Sequence, residues 1–290
     1  MKTEMRSTVR RFFDGDDGVW LTIWLAGLGV LLIWDSLFLN APAFLQVRKA
    51  FLNTMLTCSL VVLFALMLGW GTALLHYYLA ARTRLVNLGL TFTLNVLRSV
   101  PQIVGILVGY VLLTVFIEND VLRGPISQLL WMSLMISFFL FLEIVDLIGE
   151  RVQYYEKLDF FQAMLCCGIR ESRIINHEIL WKNSRAHLLQ KTVALFGSAL
   201  FLQCSIDFIV SVGLSTDVSL SNFPVTLGNM LATIDSKQDI LAVGAVLWNP
   251  TDLPSLLFRH LQGISVAFLI VFTLLCMYKM SNGIVQRHRL

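Results

Sequence analysis

Charge is what this sequence has least of: Asp, Glu, Lys and Arg together make up 14% of its 290 residues, against about 25% in a soluble globular chain. With 57% of the residues apolar, an aqueous domain has too little polar surface to cover itself, so a bilayer must absorb the excess. Basic residues form no contiguous block, which argues against a nucleic-acid partner. The phosphate-cradling pattern GxxxxGK[ST] is missing, so any ATP must be bound by another chain. Five histidines are scattered over separate segments, and the vicinal pair Cys166-Cys167 has neither ligand spacing nor nearby histidines, so no resident metal is expected. Cys58, Cys204 and Cys276 fall inside apolar runs and read as reduced thiols packed like small apolar side chains. There is no internal repeat and no low-complexity tract.

What is present is a series of six apolar segments: Val19–Leu39, Met55–Leu79, Ile103–Ile117, Ile126–Ile148, Leu188–Val212 and Ile264–Tyr278. About 20 apolar residues cross the hydrocarbon region as a helix, so the chain is expected to cross about six times. The first run is too long for a cleaved signal and no small-residue site follows it. Leu85–Leu97 is apolar but broken by Asn87, Thr91, Thr93 and Asn95, which predicts a helix along the interface that turns inward at Arg98-Ser99-Val100-Pro101. With an even number of spans both termini share a side. Placing them in the cytoplasm leaves only Arg48, Lys49, Arg123, Lys237 and Arg259 of the 22 Lys and Arg outside, the asymmetry that the positive-inside rule requires. Trp and Tyr near the predicted span ends read as interfacial anchors.

Two polar excursions remain, an inner one over 149–187 and an outer one over 213–258. Over Lys157–Trp181 the inner one reads as a short helix, a glycine at Gly168 able to take the left-handed conformation that ends it, and a second helix with Ile174, Ile175, Ile179 and Leu180 at mixed three- and four-residue spacing. One reading makes this a rigid projection on the cytoplasmic face; the other lays an amphipathic pair on the inner leaflet, with Arg170, Arg173, Lys182 and Arg185 touching anionic lipid.

Ionisable groups at membrane depth mark candidate sites. Asp207, with Gln203 one turn below, either lines an entrance for cationic or polar cargo or reaches water at the interface. Asp35 is expected to surface at the outer end of its helix. Glu143 and Asp146 share a face, and helix-end solvation or pairing with Arg98 or Arg151 is expected before acid–base work. Gln102, Gly105, Gly109 and Tyr110 either line a path or, for the glycines, pack closely against a neighbour.

The inner excursion resembles the cytoplasmic loop of the permease subunits of binding-protein-dependent ABC importers. Gln162-Ala163-Met164 stands where the family has Glu-Ala-Ala, Gly168 keeps the spacing, and Ile179-Leu180-Trp181 takes the place of an Ile-x-Leu-Pro element. Further along the chain, Phe51-Leu52-Asn53-Thr54, Arg98-Ser99-Val100-Pro101-Gln102, Ile206 to Leu214, Leu227-Gly228-Asn229-Met230-Leu231 and Ser281 to Val285 are similar to elements of the dipeptide, oligopeptide and nickel branch. The Gly-Arg-Asp element of that branch is absent around Gln46–Ala50.

The resemblance implies an all-α polytopic membrane protein of the type I ABC importer permease (MetI-like) fold. It would have a cytoplasmic tail and first span over 1–46 and a permease core over 47–290. It implies that Asp159, Gln162, Ala163, Gly168, Arg170 and Glu171 couple to an ATPase, and that the chain itself is no enzyme and binds no cofactor, ATP and Mg being held by the partners. The implied partners are a second permease, two ATPases and an extracytoplasmic substrate-binding protein, in a bacterial plasma membrane. Gln102, Tyr110, Gln203 and Asp207 are the candidates for the translocation path. Two rival classes are an ion-gradient-driven secondary transporter, for which related halves with discontinuous helices would be expected, and a membrane scaffold subunit without a path.

Overall fold

Residues 16–80, 84–122, 124–213, 224–233, 244–254 and 261–289 are described by a computed structural model of the chain. Lys2, Arg6, Arg10, Arg11, Arg82, Arg123, Lys237, Arg259 and much of the outer excursion lie outside them. Among the described residues the secondary structure is helical throughout, without strands. In chain order the elements are α1 (Asp16–Phe38), α2 (Ala41–Ala80), α3 (Arg84–Ser99), α4 (Gln102–Glu118), α5 (Pro125–Glu156), α6 (Asp159–Cys166), a turn Glu171–Arg173 entering a π-helix Ile174–Asn183, α7 (Arg185–Gly213), α8 (Leu227–Thr233), a 3-10 turn Pro250–Asp252, and α9 (Leu261–Arg289).

Helices α1, α2, α5, α7 and α9 are each long and apolar enough to cross a membrane, and the bent pair α3–α4 supplies up to one more crossing. The protein is therefore a polytopic, all-helical membrane protein. The bend between α3 and α4 is 91° and falls at Pro101, whose φ of −57° and missing N–H start a new helix without continuing the old one. The half-polar pattern of residues 85–97 is thus set off from the apolar α4, as the sequence predicts.

Helix α2 begins at Ala41, well before the run at Met55. Pro42 sits in the first turn, where its missing N–H costs no hydrogen bond. Val47, Ala50, Phe51 and Thr54 then recur at helical spacing on a buried face. The boundary at residue 46 lies inside this helix. With 40 residues, α2 is about 60 Å long, and it forms the spine of the bundle with α5. Cys58, Val61 and Ala65 on α2 and Ile136, Leu140 and Ile144 on α5 are all buried in one core. Gly105 and Gly109 of α4 face Phe139 and Met135 of α5, so these glycines permit close packing.

Helix α1 reaches the bundle mainly through α9. Trp24 Nε1 donates to Thr273 Oγ1 at 3.2 Å, and Arg287 pairs with Asp17 at 3.2 Å. Asp35 does not surface: it is wholly buried and accepts a 2.6 Å hydrogen bond from the Ser265 hydroxyl. The start of α9 covers the position that a helix-end reading of α1 alone leaves open to water.

Candidate functional site

At one end of the bundle the chain between α5 and α7 forms an elbow. Helix α6 buries Phe161 against the bundle and exposes Asp159, Gln162, Ala163 and part of Phe160 and Leu165. Its C-terminus closes with two bonds: Ile169 N donates to Met164 O at 3.2 Å, and Gly168 N to Leu165 O at 2.9 Å. That pair of bonds is a Schellman motif, and it places Gly168 at φ +77°, a region that costs residues with a Cβ. Met164 and Ile169 both pack against the core beneath it, the hydrophobic contact that accompanies this cap. The left-handed glycine is thus as the sequence predicts, and Arg170 and Glu171 follow it on the exposed surface.

The second arm differs from expectation. It is a π-helix over Ile174–Asn183, whose exit is fixed by Ser184 N donating to Ile179 O, five residues back, at 2.8 Å. Ile174, Ile175, Ile179 and Leu180 are all fully buried. The wider turn of a π-helix brings residues five apart nearer to one face than an α-helix does, so Ile174 and Ile179, and Ile175 and Leu180, share the core face. On the outer face Glu178 accepts from Lys182 Nζ at 2.8 Å and lies 2.8 Å from His177 Nδ1. Those contacts, Lys182 first and His177 second, hold its carboxyl below the ordinary value.

Two aromatic side chains of α2 clasp the elbow. The Tyr77 hydroxyl lies 2.5 Å from Glu171 Oε1 and 3.1 Å from Glu156 Oε1. One proton serves one acceptor at a time, and the shorter contact assigns it to Glu171. One side chain thus bridges the end of α5 and the residue after the Gly168 turn. Two turns earlier, Trp70 Nε1 donates to Asn176 Oδ1 at 3.2 Å. Glu143 and Asp146 are both paired, with Lys191 of α7 at 2.7 Å and with Arg98 of α3 respectively. They brace the elbow end and leave no free carboxylate pair for acid–base work.

Asp207 lies toward the opposite end of the bundle, and it does not reach water. Only 5% of it is exposed. Tyr110 of α4 donates to Oδ1 at 2.5 Å and Thr226, just before α8, donates to Oδ2 at 2.6 Å. Gln203 is fully buried beside it; its Oε1 accepts from Cys58 Sγ at 3.4 Å, and its amide nitrogen makes no full hydrogen bond. A crevice of about 10 Å³ remains between Tyr110, Asp207, Ser211, Thr226 and Asn229, room for about one water.

Helix α2 joins this knot from below: Asn53 Nδ2 donates to Val225 O at 2.8 Å, and Thr54 Oγ1 accepts from Leu227 N at 3.0 Å. Helix α8 can lie here because residue 228 is glycine. A Cβ at that position would stand 2.5 Å from Cys204 O and 2.7 Å from Cys204 Cα, both backbone atoms that cannot swing away.

Of the four candidate path residues the structure brings together Tyr110, Gln203 and Asp207. Gln102 stands apart, at the mouth of an open, mostly apolar cleft of about 700 Å³ between α4, α7 and α9, with Ser198, Phe201, Met277 and Tyr278 on its walls. Sequence reasoning missed Asn53, Thr54, Cys58 and Thr226 as members of the knot. The only signal was that Asn53-Thr54 and residues 227–231 each stood in a motif. No protein-family model matches this chain, and no curated protein matches it.

Proposed function

We propose that the chain is the membrane-spanning permease subunit of an ATP-binding-cassette importer in a bacterial plasma membrane, with both termini in the cytoplasm. It works with a second permease, two ATPases that hold ATP and Mg, and an extracytoplasmic binding protein that delivers a small polar solute. The observation that carries this reading is the elbow: a short, exposed helix, closed by Gly168 and fastened to α2 through Tyr77 and Trp70. A surface helix held this firmly passes on a push instead of absorbing it in backbone torsions.

Helix α2 continues unbroken from that clasp to Asn53 and Thr54 at the Asp207 knot, so displacement at the elbow has a continuous route to the other end. The two openings also differ in the way alternating access needs. A cleft of about 700 Å³ lies among α4, α7 and α9, while the crevice at the knot is about 10 Å³. ATP-driven approach of the two elbows would close the cleft and pull the knot apart, and release of the hydrolysis products would restore the first state.

The test is reconstitution with the ATPase subunits that co-purify with the full-length chain. Gly168→Trp and Gln162→Arg are expected to abolish ATP-driven uptake and weaken ATPase binding; unchanged uptake and binding would overturn the reading. One observation favours the secondary-transporter alternative: Asp207 is a buried carboxylate whose partners are all neutral, as expected for a proton or cation relay. Uptake that follows an ion gradient without ATP would establish that alternative.

A further inference from the structure

We infer that the cleft beside Gly168 docks a carboxylate-bearing surface of the ATPase partner, gripped by Arg170 and Arg173. The inference rests on the importer reading and names the chemistry of the partner's groove.

The cleft has a volume of about 570 Å³ and is lined by Gly168, Ile169, Arg170, Ser172, Arg173 and Asn176. Arg170 and Arg173 are both exposed. They are three residues apart, with Arg173 N bonded back to Arg170 O at 2.9 Å, so their side chains leave neighbouring positions of one turn. Neither belongs to an ion pair among the described residues, whereas Arg98, Lys182, Lys191 and Arg287 each have a carboxylate partner.

The acids nearest in sequence are already engaged. Glu171 is turned toward Tyr77 of α2, and Glu178 is held by Lys182 and His177. Residue 162, on the outer face of α6, is a neutral glutamine. The rim of the turn therefore carries two guanidinium groups that form no ion pair among the described residues, and a guanidinium fork matches a carboxylate through two parallel hydrogen bonds.

A headgroup phosphate offers related chemistry, but two features favour protein. Helix α5 has 32 residues and so runs about 48 Å, against the roughly 40–45 Å of a bilayer with its headgroups, a length sufficient to hold the elbow at the outer edge of the headgroups. The exposed face of α6 also sets Asp159 beside Phe160 and Leu165. An anionic leaflet carries charge of one sign and repels an outward acid, whereas a protein groove with an apolar floor can set carboxylates against the arginines and a hydrogen-bond donor against Asp159.

The experiment uses the full-length chain in nanodiscs, with the ATPase subunit that co-purifies with it as the probe. In neutral phosphatidylcholine discs, Arg170→Glu with Arg173→Glu is expected to weaken ATPase binding about tenfold or more, as for charge pairs at other interfaces. The double Lys variant should lose less, wild-type binding should weaken with added NaCl, and reversing acidic groove residues of the ATPase should restore the Glu variant. An unchanged thermal unfolding midpoint shows that the variant is folded. Wild-type binding that the reversal leaves unchanged overturns the arginine assignment and leaves the importer reading standing. A loss seen only in discs containing phosphatidylglycerol assigns the arginines to lipid and overturns it as well. A wild-type chain that binds no ATPase in either disc overturns both.

Discussion

Gly168 and Gly228 are demanding for different reasons. At Gly168 the constraint is torsional, since φ is +77° while the space around it is open. Gly168→Ala is expected to cost about 1–2 kcal/mol of local stability, read as faster hydrogen exchange over α6 without loss of the rest of the bundle. At Gly228 the constraint is contact with the α7 backbone. Gly228→Ala must push α8 away from Cys204, and a loss of about 1–3 kcal/mol is expected in detergent thermal unfolding, with the Asp207 knot opening first. Glu178 sets a pH dependence. Because Lys182 and His177 lower its carboxyl from the ordinary 4.5, their support is fully present above pH 4.5 and fades as pH falls through the lowered value. Exchange protection of the π-helix should drop over that acid range in the wild type and stay flat in Glu178→Gln. The effect should be small and shrink with salt, since the groups are on the surface.

At the scale of elements, α2 is the part that joins the two sites: the elbow through Tyr77 and Trp70, and the knot through Asn53 and Thr54. Tyr77→Phe removes one partly exposed hydroxyl and is expected to cost about 0.5–1.5 kcal/mol. On the importer reading its consequence is specific: ATPase binding and ATP turnover persist while uptake per ATP falls, which a coupled assay in proteoliposomes separates.

The contrast between helices and partners also marks what the sequence could convey. Apolar runs locate the spans because a bilayer demands length and composition alone, and Pro101 and Gly168 mark their breaks because their backbone chemistry is local. Asp35, which the sequence leads one to expect at the surface, and Asp207, for which it leaves an entrance and the water interface both open, are buried by Ser265 and Tyr110, partners that lie 230 and 97 residues away and that no local pattern reveals. The π-helix escaped because Ile175 and Ile179 are also four apart, so an α-helical spacing was satisfied by half of the pattern.

Taken as a whole, the molecule pairs an open cleft among α4, α7 and α9 with a buried knot around Asp207. Tyr110→Phe leaves a buried carboxylate oxygen without its donor, and a loss of about 1–3 kcal/mol is expected, larger than for Tyr77→Phe because the knot is shielded from water. The asymmetry can be read chemically in a background with the exposed Cys166 and Cys167 replaced by Ser. Without ATP, Ser198→Cys in the cleft should react with a water-soluble maleimide added on the elbow side. Thr226→Cys, at a position now 1% exposed, should stay unlabelled from either side. On the importer reading, trapping the ATPases in their closed state should reverse the pattern.

The wide turn of 174–183 also acts as a dial. In an α-helix each residue advances the chain by about 100°, so deleting one residue there, such as His177, would let the segment relax toward ordinary winding and change the direction in which the chain enters α7 at Ser184. Gln203 and Asp207 would then swing away from Tyr110, and a fault introduced at one surface would surface as a broken lock at the other.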